Sequence, residues 1–437
     1  VSLSSSDNLY FDNNATTRPC DAATSAMLAG ATELWHNPSS VHKPGQAARH
    51  AVEVARGHVA SLLGARPKDC TFLSSGTEAL DLAIRGTLAL ARKGALPTLL
   101  TTRVEHAAIR ELAEQLEKDG SARVLWLPLK EGGVLDVPAS RELVRKLHHD
   151  VPDAARSTCL LALQWANNET GAVQPVREAS AFAKQIGATF LVDGTQWVGK
   201  LPTQLEPTEQ GVHASASKNT PPLDMSTQHW CDMLVCSAHK FHGVKGCGIL
   251  WARQGLRLRP TLVGTQELGR RGGTENVPAI IAAGAAAQHA QGFVHDADAI
   301  AHLSQLRDEF EQGIVGVLEQ IAPHLSVRIN KPASAWLLDA GVRVPSRLWN
   351  TTNIAFATLE AEALLIALSE RGVAASAGAA CSSGSLEPSP VLLAMGIEPQ
   401  FAHGSIRLSL SRETTLDEVE EGLSRITAVV KRVAASM

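Results

Sequence analysis

MLVCSAHKFHG, Met233 to Gly243, is the stretch on which the fold turns. Its first half is a short apolar run, and its second half is polar and basic and closes on a glycine. The pattern is a buried strand that gives way to a loop, with Lys240 at the transition. Outward from it, between about residues 22 and 290, short runs rich in Val, Leu, Ile and Thr alternate with longer stretches of helical periodicity, as βαβ units require. The expected strands are Thr98–Thr102, Leu160–Trp165, Thr189–Val192, Met233–Ser237 and Gly248–Trp251. Helices are expected from about Glu78 to Arg92, His106 to Glu117, Arg177 to Ile186 and Pro278 to Gln291. A mostly parallel sheet with helices on both faces follows.

Residues 205–229 break this rhythm with GVHASASKNTPPLDMSTQ and read as a surface loop or insertion. Beyond about residue 292 the pattern changes to long amphipathic helices, Asp298–Leu318, Glu360–Arg371 and Leu416–Val433, with strand-like runs at Asn353–Phe356 and Ser405–Leu410. Two domains are therefore expected: a large α/β domain over residues 22–290, and a smaller α+β domain built from residues 1–21 and 291–437. The length of 437 residues agrees, since it exceeds what one hydrophobic core usually serves.

Hydrophobic residues make up 44% and charged residues 19%, an ordinary soluble balance. The formal charge of −4 gives no electrostatic reason for nucleic acid or an anionic membrane as partner. The seven cysteines show no paired CxxC spacing, so a reducing compartment is expected and no metal is called for. Apolar runs fall well short of the about eighteen residues of a membrane span. The expectation is a cytoplasmic protein, or one of the mitochondrial matrix if a presequence was removed before Val1.

A lone loop lysine is ordinarily solvated, but Lys240 has company. A lysine forms a Schiff base with an aldehyde cofactor where anion-binding groups hold that cofactor, and Ser237 and His239 are such groups. A second anion site is SSGTEAL, Ser74 to Leu80, where a turn with Gly76 opens into a helix. Backbone N–H groups at a helix N-terminus, with the Thr77 hydroxyl, suit a phosphate. The plainer alternative is that Thr77 caps its own helix. FLVDGTQ, Phe190 to Gln196, puts Asp193 at the carboxyl end of a buried strand, where open α/β sheets bind ligands. A carboxylate there needs a positive partner, and a protonated pyridine nitrogen serves. His106, in VEHAAI, is placed to stack on a ring. Cys381 lies in SAGAACSSGS, which has too few bulky side chains to pack and is expected to be a mobile loop, suited to a nucleophile that delivers cargo. The other cysteines read as packed residues, Cys159, Cys236 and Cys247 among them.

SSGTE, VEHAAI, WANNETG, VDGTQ and SAHK, in this order, resemble the cysteine desulfurases of aminotransferase class V, the nitrogen-fixation type above all. The resemblance extends to FDNNATTRP near the N-terminus, NPSSVH at 37–42, RRGGTENVPA at 270–279, AACSSGSLEPS at 379–389 and HGSIRLSLSR at 403–412, and so spans nearly the whole chain. It implies the fold of pyridoxal-phosphate-dependent transferases, aspartate-aminotransferase-like and type I. It implies pyridoxal 5'-phosphate on Lys240, beside Gly76, in a phosphate cup of Thr77, Ser237 and His239, with Thr274 completing the cup across a homodimer interface. Asp193 would meet the pyridine nitrogen, Gln196 the ring hydroxyl and His106 the ring face. Asn168 and Arg407 would hold the substrate carboxylate, which agrees with the fork of a guanidinium. Sulfur from L-cysteine would pass to the Cys381 thiolate as a persulfide, leaving L-alanine, with His106 handling the substrate thiol proton. A sulfur-acceptor protein such as an iron–sulfur scaffold would take it onward.

Two other readings accompany this one. A selenocysteine lyase shares almost all these motifs, though SSGSLEPS after the cysteine follows the sulfur enzymes. An inactive sulfur-relay scaffold would not need the intact set of Lys240, Asp193, His106, Arg407 and Cys381. The sequence departs from the family pattern at Gly194 (usually Ala), Val244 (usually Pro), Thr265 (usually Gly) and Ala379 (usually Ser), which bears on loop geometry and removes no catalytic group. The 205–229 stretch has no family counterpart.

Overall fold

Short apolar runs become strands here because both of their faces are covered. Met233–Ser237 is buried at every residue, and its alternate side chains enter different cores: Leu234 and Cys236 on one face, Met233 and Val235 on the other. The neighbouring Thr189–Asp193 divides likewise, with Phe190 and Val192 opposite Leu191. Each large apolar side chain buried this way contributes about 1.5–3 kcal/mol. A computed structural model describes residues 8–91, 94–155, 157–207, 229–377 and 387–435.

Among the described residues a seven-stranded sheet runs in the spatial order Cys70–Leu73, Gly248–Ala252, Met233–Ser237, Thr189–Asp193, Thr158–Gln164, Thr98–Thr101, Arg123–Trp126. Neighbours are parallel except around Gly248–Ala252, which is antiparallel to both of its partners. The mostly parallel sheet is thus present, with two strands, Cys70–Leu73 and Arg123–Trp126, that the sequence pattern did not single out. Helices Gly76–Leu88, Ala107–Lys118, Val176–Ile186 and Val277–Val294 match the periodic stretches. Val176–Ile186 stops where Gly187 turns left-handed at φ 70°. Two helices not foreseen, Asp21–Thr32 and Lys43–Leu62, pack on Val277–Val294. The approach is close enough that a Cβ on Gly284 would lie 2.5 Å from the Ala55 Cα.

A second sheet, Val327–Ile329, Thr351–Phe356 and Ser405–Ser409, is antiparallel throughout, with Thr351–Phe356 in the middle. Helices Ala297–Ile321, Ala361–Glu370 and Leu416–Ala435 belong with it. The N-terminal segment joins the two sheets. Leu9–Tyr10 pairs with Val373–Ala374, Asp12 bridges to Ser409, and the Thr17 N–H then donates to the His239 carbonyl at 2.9 Å.

Leu205 is buried and its N–H bonds to the Leu63 carbonyl, while Trp230 donates its indole N–H to the Gln204 carbonyl at 2.8 Å. Leu205 and Trp230 thus fix the chain on either side, and residues 208–228, most of the expected surface loop or insertion, lie outside the described residues. Among the described residues no helix is long and apolar enough to cross a membrane.

Candidate active site

Gln164, Asp193 and Ser237 are the last residues of three adjacent parallel strands, and Gln164 is in register with Asp193. Parallel strands that stop together leave a crevice at their carboxyl ends. A cavity of about 580 Å³ opens there, and its walls include Gly76, Thr77, His106, Asn168, Asp193, Gln196, Ser237, His239, Lys240 and Arg407. The structure thus brings together the residues picked from the sequence, with two exceptions. Thr274 is exposed and stands outside the cavity of this single chain. Cys381 lies outside the described residues.

At one end the cavity is lined by the start of the Gly76–Leu88 helix, Ser237 and His239. Ser75, not Thr77, caps the Gly76–Leu88 helix, its Oγ accepting the Glu78 N–H at 3.1 Å, so the capping alternative for Thr77 does not hold. The first-turn N–H groups have no partner within the helix. A Cβ on Gly248 would run into the Ser75 carbonyl, so glycine there lets the turn lie directly on the strand. Gly76 leaves open the space a side chain would take, 3.4 Å from the Ser237 Cβ and 3.7 Å from the Thr195 Oγ1. His239 is tied through Nδ1 to the Thr16 hydroxyl at 3.1 Å. Burial, then Lys240 and Lys245, push its pKa down to about 4.

In the middle lie Asp193 and His106. Asp193 is 5% exposed, and its Oδ1 accepts the Thr195 N–H at 2.9 Å. His106 has a second task that its sequence position foretold only in part: its Nδ1 accepts the Ala108 N–H at 3.1 Å and so caps the Ala107–Lys118 helix. That bond assigns the hydrogen of the neutral ring to Nε2. Burial and Lys240 lower the His106 pKa, against the pull of Asp193. Behind it Glu105 is fully buried, accepting from the Thr102 hydroxyl and the Gln164 N–H, each at 2.6 Å. Burial raises its pKa to about 8.

Lys240 donates from Nζ to the carbonyls of Asn14, at 2.5 Å, and Ala15, at 2.8 Å. The same Asn14 carbonyl accepts Gln196 Nε2 at 3.0 Å, and the Asn14 Oδ1 accepts Lys200 Nζ at 3.2 Å. Lys200 also donates to Gln196 Oε1 at 2.6 Å, and burial, then Lys240 and Arg407, push its pKa well below that of an ordinary lysine.

At the far end Arg407 is 2% exposed. It donates through Nη1 to the Asn168 carbonyl at 2.9 Å and through Nη2 to Asp12 at 2.6 Å. Its Nε and the Asn168 Oδ1 are buried without partners among the described residues. A buried donor and acceptor without partners, both in a cavity wall, fit a ligand that supplies the complement of each, as an α-amino acid does. Close by, the buried Glu169 accepts the Ser389 hydroxyl at 2.7 Å, and burial raises its pKa. Ser389 caps the short Pro390–Ala394 helix that follows residues 378–386.

Sequence reasoning gave no role to Asn14, Glu105, Glu169 or Lys200. The first three stand inside motifs already quoted, FDNNATTRP, VEHAAI and WANNETG. Lys200 follows Gln196 by four residues, which was the only signal it gave.

The chain matches the family described as aminotransferase class-V over residues 9–223 and 212–421. A protein of Trichormus variabilis named cysteine desulfurase 2 is 42% identical over 428 residues, covering 98% of this chain and 94% of the relative. The cysteine desulfurase NifS of Azotobacter vinelandii is 37% identical over 428 residues, covering 98% and 93%. Among solved structures, a NifS-like protein superposes with a TM-score of 0.78 at 30% identity, covering 97% of this chain and 99% of the other. A structure described as SspA in complex with cysteine gives 0.68 at 26% identity, covering 93% and 100%.

Proposed function

The chain belongs to the aminotransferase class-V family and, within it, is a cysteine desulfurase; we propose that sulfur moves through this cavity, from L-cysteine held on Arg407 to the thiol of Cys381. The observation that carries the reading is the convergence at three parallel strand ends of Lys240, Asp193, an anion cup and an arginine whose Nε lacks a partner. The residues suit pyridoxal 5'-phosphate, because Gly76 leaves open space beside Ser237 and the first-turn N–H groups, as a phosphate needs. Lys240 would hold it covalently, Thr77, Ser237 and His239 its phosphate, Asp193 its ring nitrogen and Gln196 its ring hydroxyl, with His106 over the ring. The partner subunit's Thr274 would complete the cup in a homodimer. When bound, the cofactor supplies the electron sink that makes the substrate Cα–H acidic.

Arg407 and Asn168 orient cysteine by its carboxylate, and the Lys240 amine moves the α-proton. The Cys381 thiolate attacks the substrate sulfur: an S–S bond forms, the Cβ–S bond breaks, and its electron pair stays with the carbon fragment, which is protonated and leaves as L-alanine. Cysteine and a thiol thus become alanine and a persulfide, with atoms in balance. His106 offers its Nε2–H to the substrate sulfur, since its Nδ1 is occupied by the helix cap. The persulfide then passes to a sulfur-acceptor protein, for which an iron–sulfur scaffold is the chemical type. The two sheets suit a division into a cofactor-binding part, residues 22–290, and a smaller part, residues 1–21 with 291–437. Cys20, Cys70, Cys231, Cys236 and Cys247 are free thiols, which suits a reducing compartment such as the cytoplasm.

The test is incubation of the pyridoxal-phosphate-loaded protein with L-cysteine, followed by peptide mass spectrometry. One added sulfur on the Cys381 peptide, with matching alanine, is expected. Cys381→Ser should lose the sulfur and keep the cofactor absorbance, and Lys240→Ala should lose the borohydride-reducible link. Sulfur on another cysteine instead would overturn the assignment.

A further inference from the structure

Lys200 stands behind the cavity wall at 5% exposure, and its amine meets two amide oxygens rather than a carboxylate: Gln196 Oε1 at 2.6 Å and Asn14 Oδ1 at 3.2 Å. The charged groups acting on it, Lys240 and Arg407, are both cations, and His242 is the further titratable group within range. A buried amine with cations around it and, among the described residues, no anion bound to it is favoured in its neutral form. A neutral amine carries two hydrogens, one for each of these oxygens.

The arrangement decides which way a neighbouring side chain faces. The backbone carbonyl of Asn14 can only accept, and it takes Gln196 Nε2 at 3.0 Å. An amide caught between a donating amine and an accepting carbonyl has one satisfied orientation, oxygen toward Lys200 and nitrogen toward Asn14. The second hydrogen on Gln196 Nε2 is then what the amide has left to offer the cavity whose wall it forms.

We propose that Lys200 is a positioning residue that sets the polarity of Gln196, so that a ligand in the cavity meets an N–H donor there and not a carbonyl acceptor. This rests on the cofactor reading above, in which a ring hydroxyl, as its oxyanion, lies beside Gln196. An oxyanion accepts a hydrogen bond from an N–H and is repelled by a carbonyl oxygen, so a flipped amide removes one favourable contact and adds an unfavourable one. The Asn14 carbonyl anchors the Gln196 nitrogen and Lys200 anchors its oxygen, so losing the Lys200 donor leaves that oxygen without its partner and lowers the cost of turning it toward the ligand.

The test uses the full chain, stripped of cofactor and titrated with pyridoxal 5'-phosphate, reading the Kd by tryptophan fluorescence and the position and pH midpoint of the visible band. Lys200→Met removes the donor at similar length, Lys200→Gln keeps a terminal N–H, and Gln196→Met removes the amide. We expect Lys200→Met to weaken binding about tenfold and to shift the band. Lys200→Gln should recover most of the affinity, and Lys200→Met in the Gln196→Met background should add little. Gln196→Glu, which leaves Lys200 intact but presents only acceptors, should also bind weakly, and this arm stands even if Lys200→Met does not fold. Additive losses in the double variant, equal behaviour of the Met and Gln variants at Lys200, or wild-type binding by Gln196→Glu would each overturn the inference. If the wild-type chain itself develops no visible band, the cofactor reading fails instead.

Discussion

Glu105→Gln should make the stability of this protein less sensitive to alkaline pH. The wild-type carboxyl is fully buried, and burial, reinforced by repulsion from Asp193, raises its pKa from 4.5 to about 8 in spite of the Thr102 and Gln164 donors. A carboxyl whose folded pKa exceeds its unfolded one holds its proton more tightly in the folded state. Below pH about 4.5 it is protonated in both states and costs nothing; from there to about 8 the cost of keeping it folded grows, and above that it is constant. The interval between the two pKa values sets a ceiling of ~5 kcal/mol. Glutamine keeps the shape: its oxygen can accept the Gln164 N–H, and its NH₂ can donate to the Thr102 oxygen, which is able to accept. For a chain of 437 residues the unfolding entropy is about 0.9 kcal/mol per kelvin, so the ceiling corresponds to a Tm difference of roughly 5 °C. Thermal unfolding of both proteins at about pH 5 and about pH 8.5 measures this directly. The gap between variant and wild type should widen in favour of the variant by up to that amount on going to the higher pH. A gap that is equal at both pH values, or that widens the other way, would refute the argument from burial.

Two further substitutions separate the roles of neighbouring side chains. Arg407→Lys keeps the charge but loses the fork and its unpartnered Nε, so the KM for cysteine should rise about 10- to 100-fold with the cofactor Kd unchanged; an unchanged KM would remove Arg407 from the substrate site. His106→Asn retains a good helix cap whereas His106→Ala does not, so the Ala variant should be less stable by about 1 kcal/mol while both lose turnover; if the Asn variant turned over normally, the imidazole would have no chemical part.

Much of the candidate site was legible because its residues mark the ends of local patterns. Asp193 and Ser237 each close an apolar run, Gly76 and Thr77 open a periodic one, and those patterns are visible without any partner. Helices Gly76–Leu88, Ala107–Lys118, Val176–Ile186 and Val277–Val294 followed from apolar periodicity. The edges were less certain. Lys43–Leu62 was missed because alanine, histidine and arginine crowd its surface and thin its apolar stripe, and it is held by packing on Val277–Val294. The packing of the Ser75–Gly76 turn onto the strand depends on the bare Cα of Gly248, which lies 172 residues from Gly76 along the chain and leaves no mark on the local pattern.

By itself, then, the sequence determined the layered α/β class and the place of Lys240 just beyond a strand end, since strand and helix periods are properties of neighbouring residues. Only the tertiary structure decided that Gly248–Ala252 runs against its neighbours, that the N-terminal FDNN segment bridges to the small sheet at Asp12 and lines the cavity at Asn14, and that Asn14 reaches Lys200 across 186 residues. Those features rest on which distant groups come within hydrogen-bond reach and how much water is excluded around them. Burial of that kind is why Lys200 and Glu105, written with ordinary letters, have pKa values pushed well below that of an ordinary lysine and up to about 8.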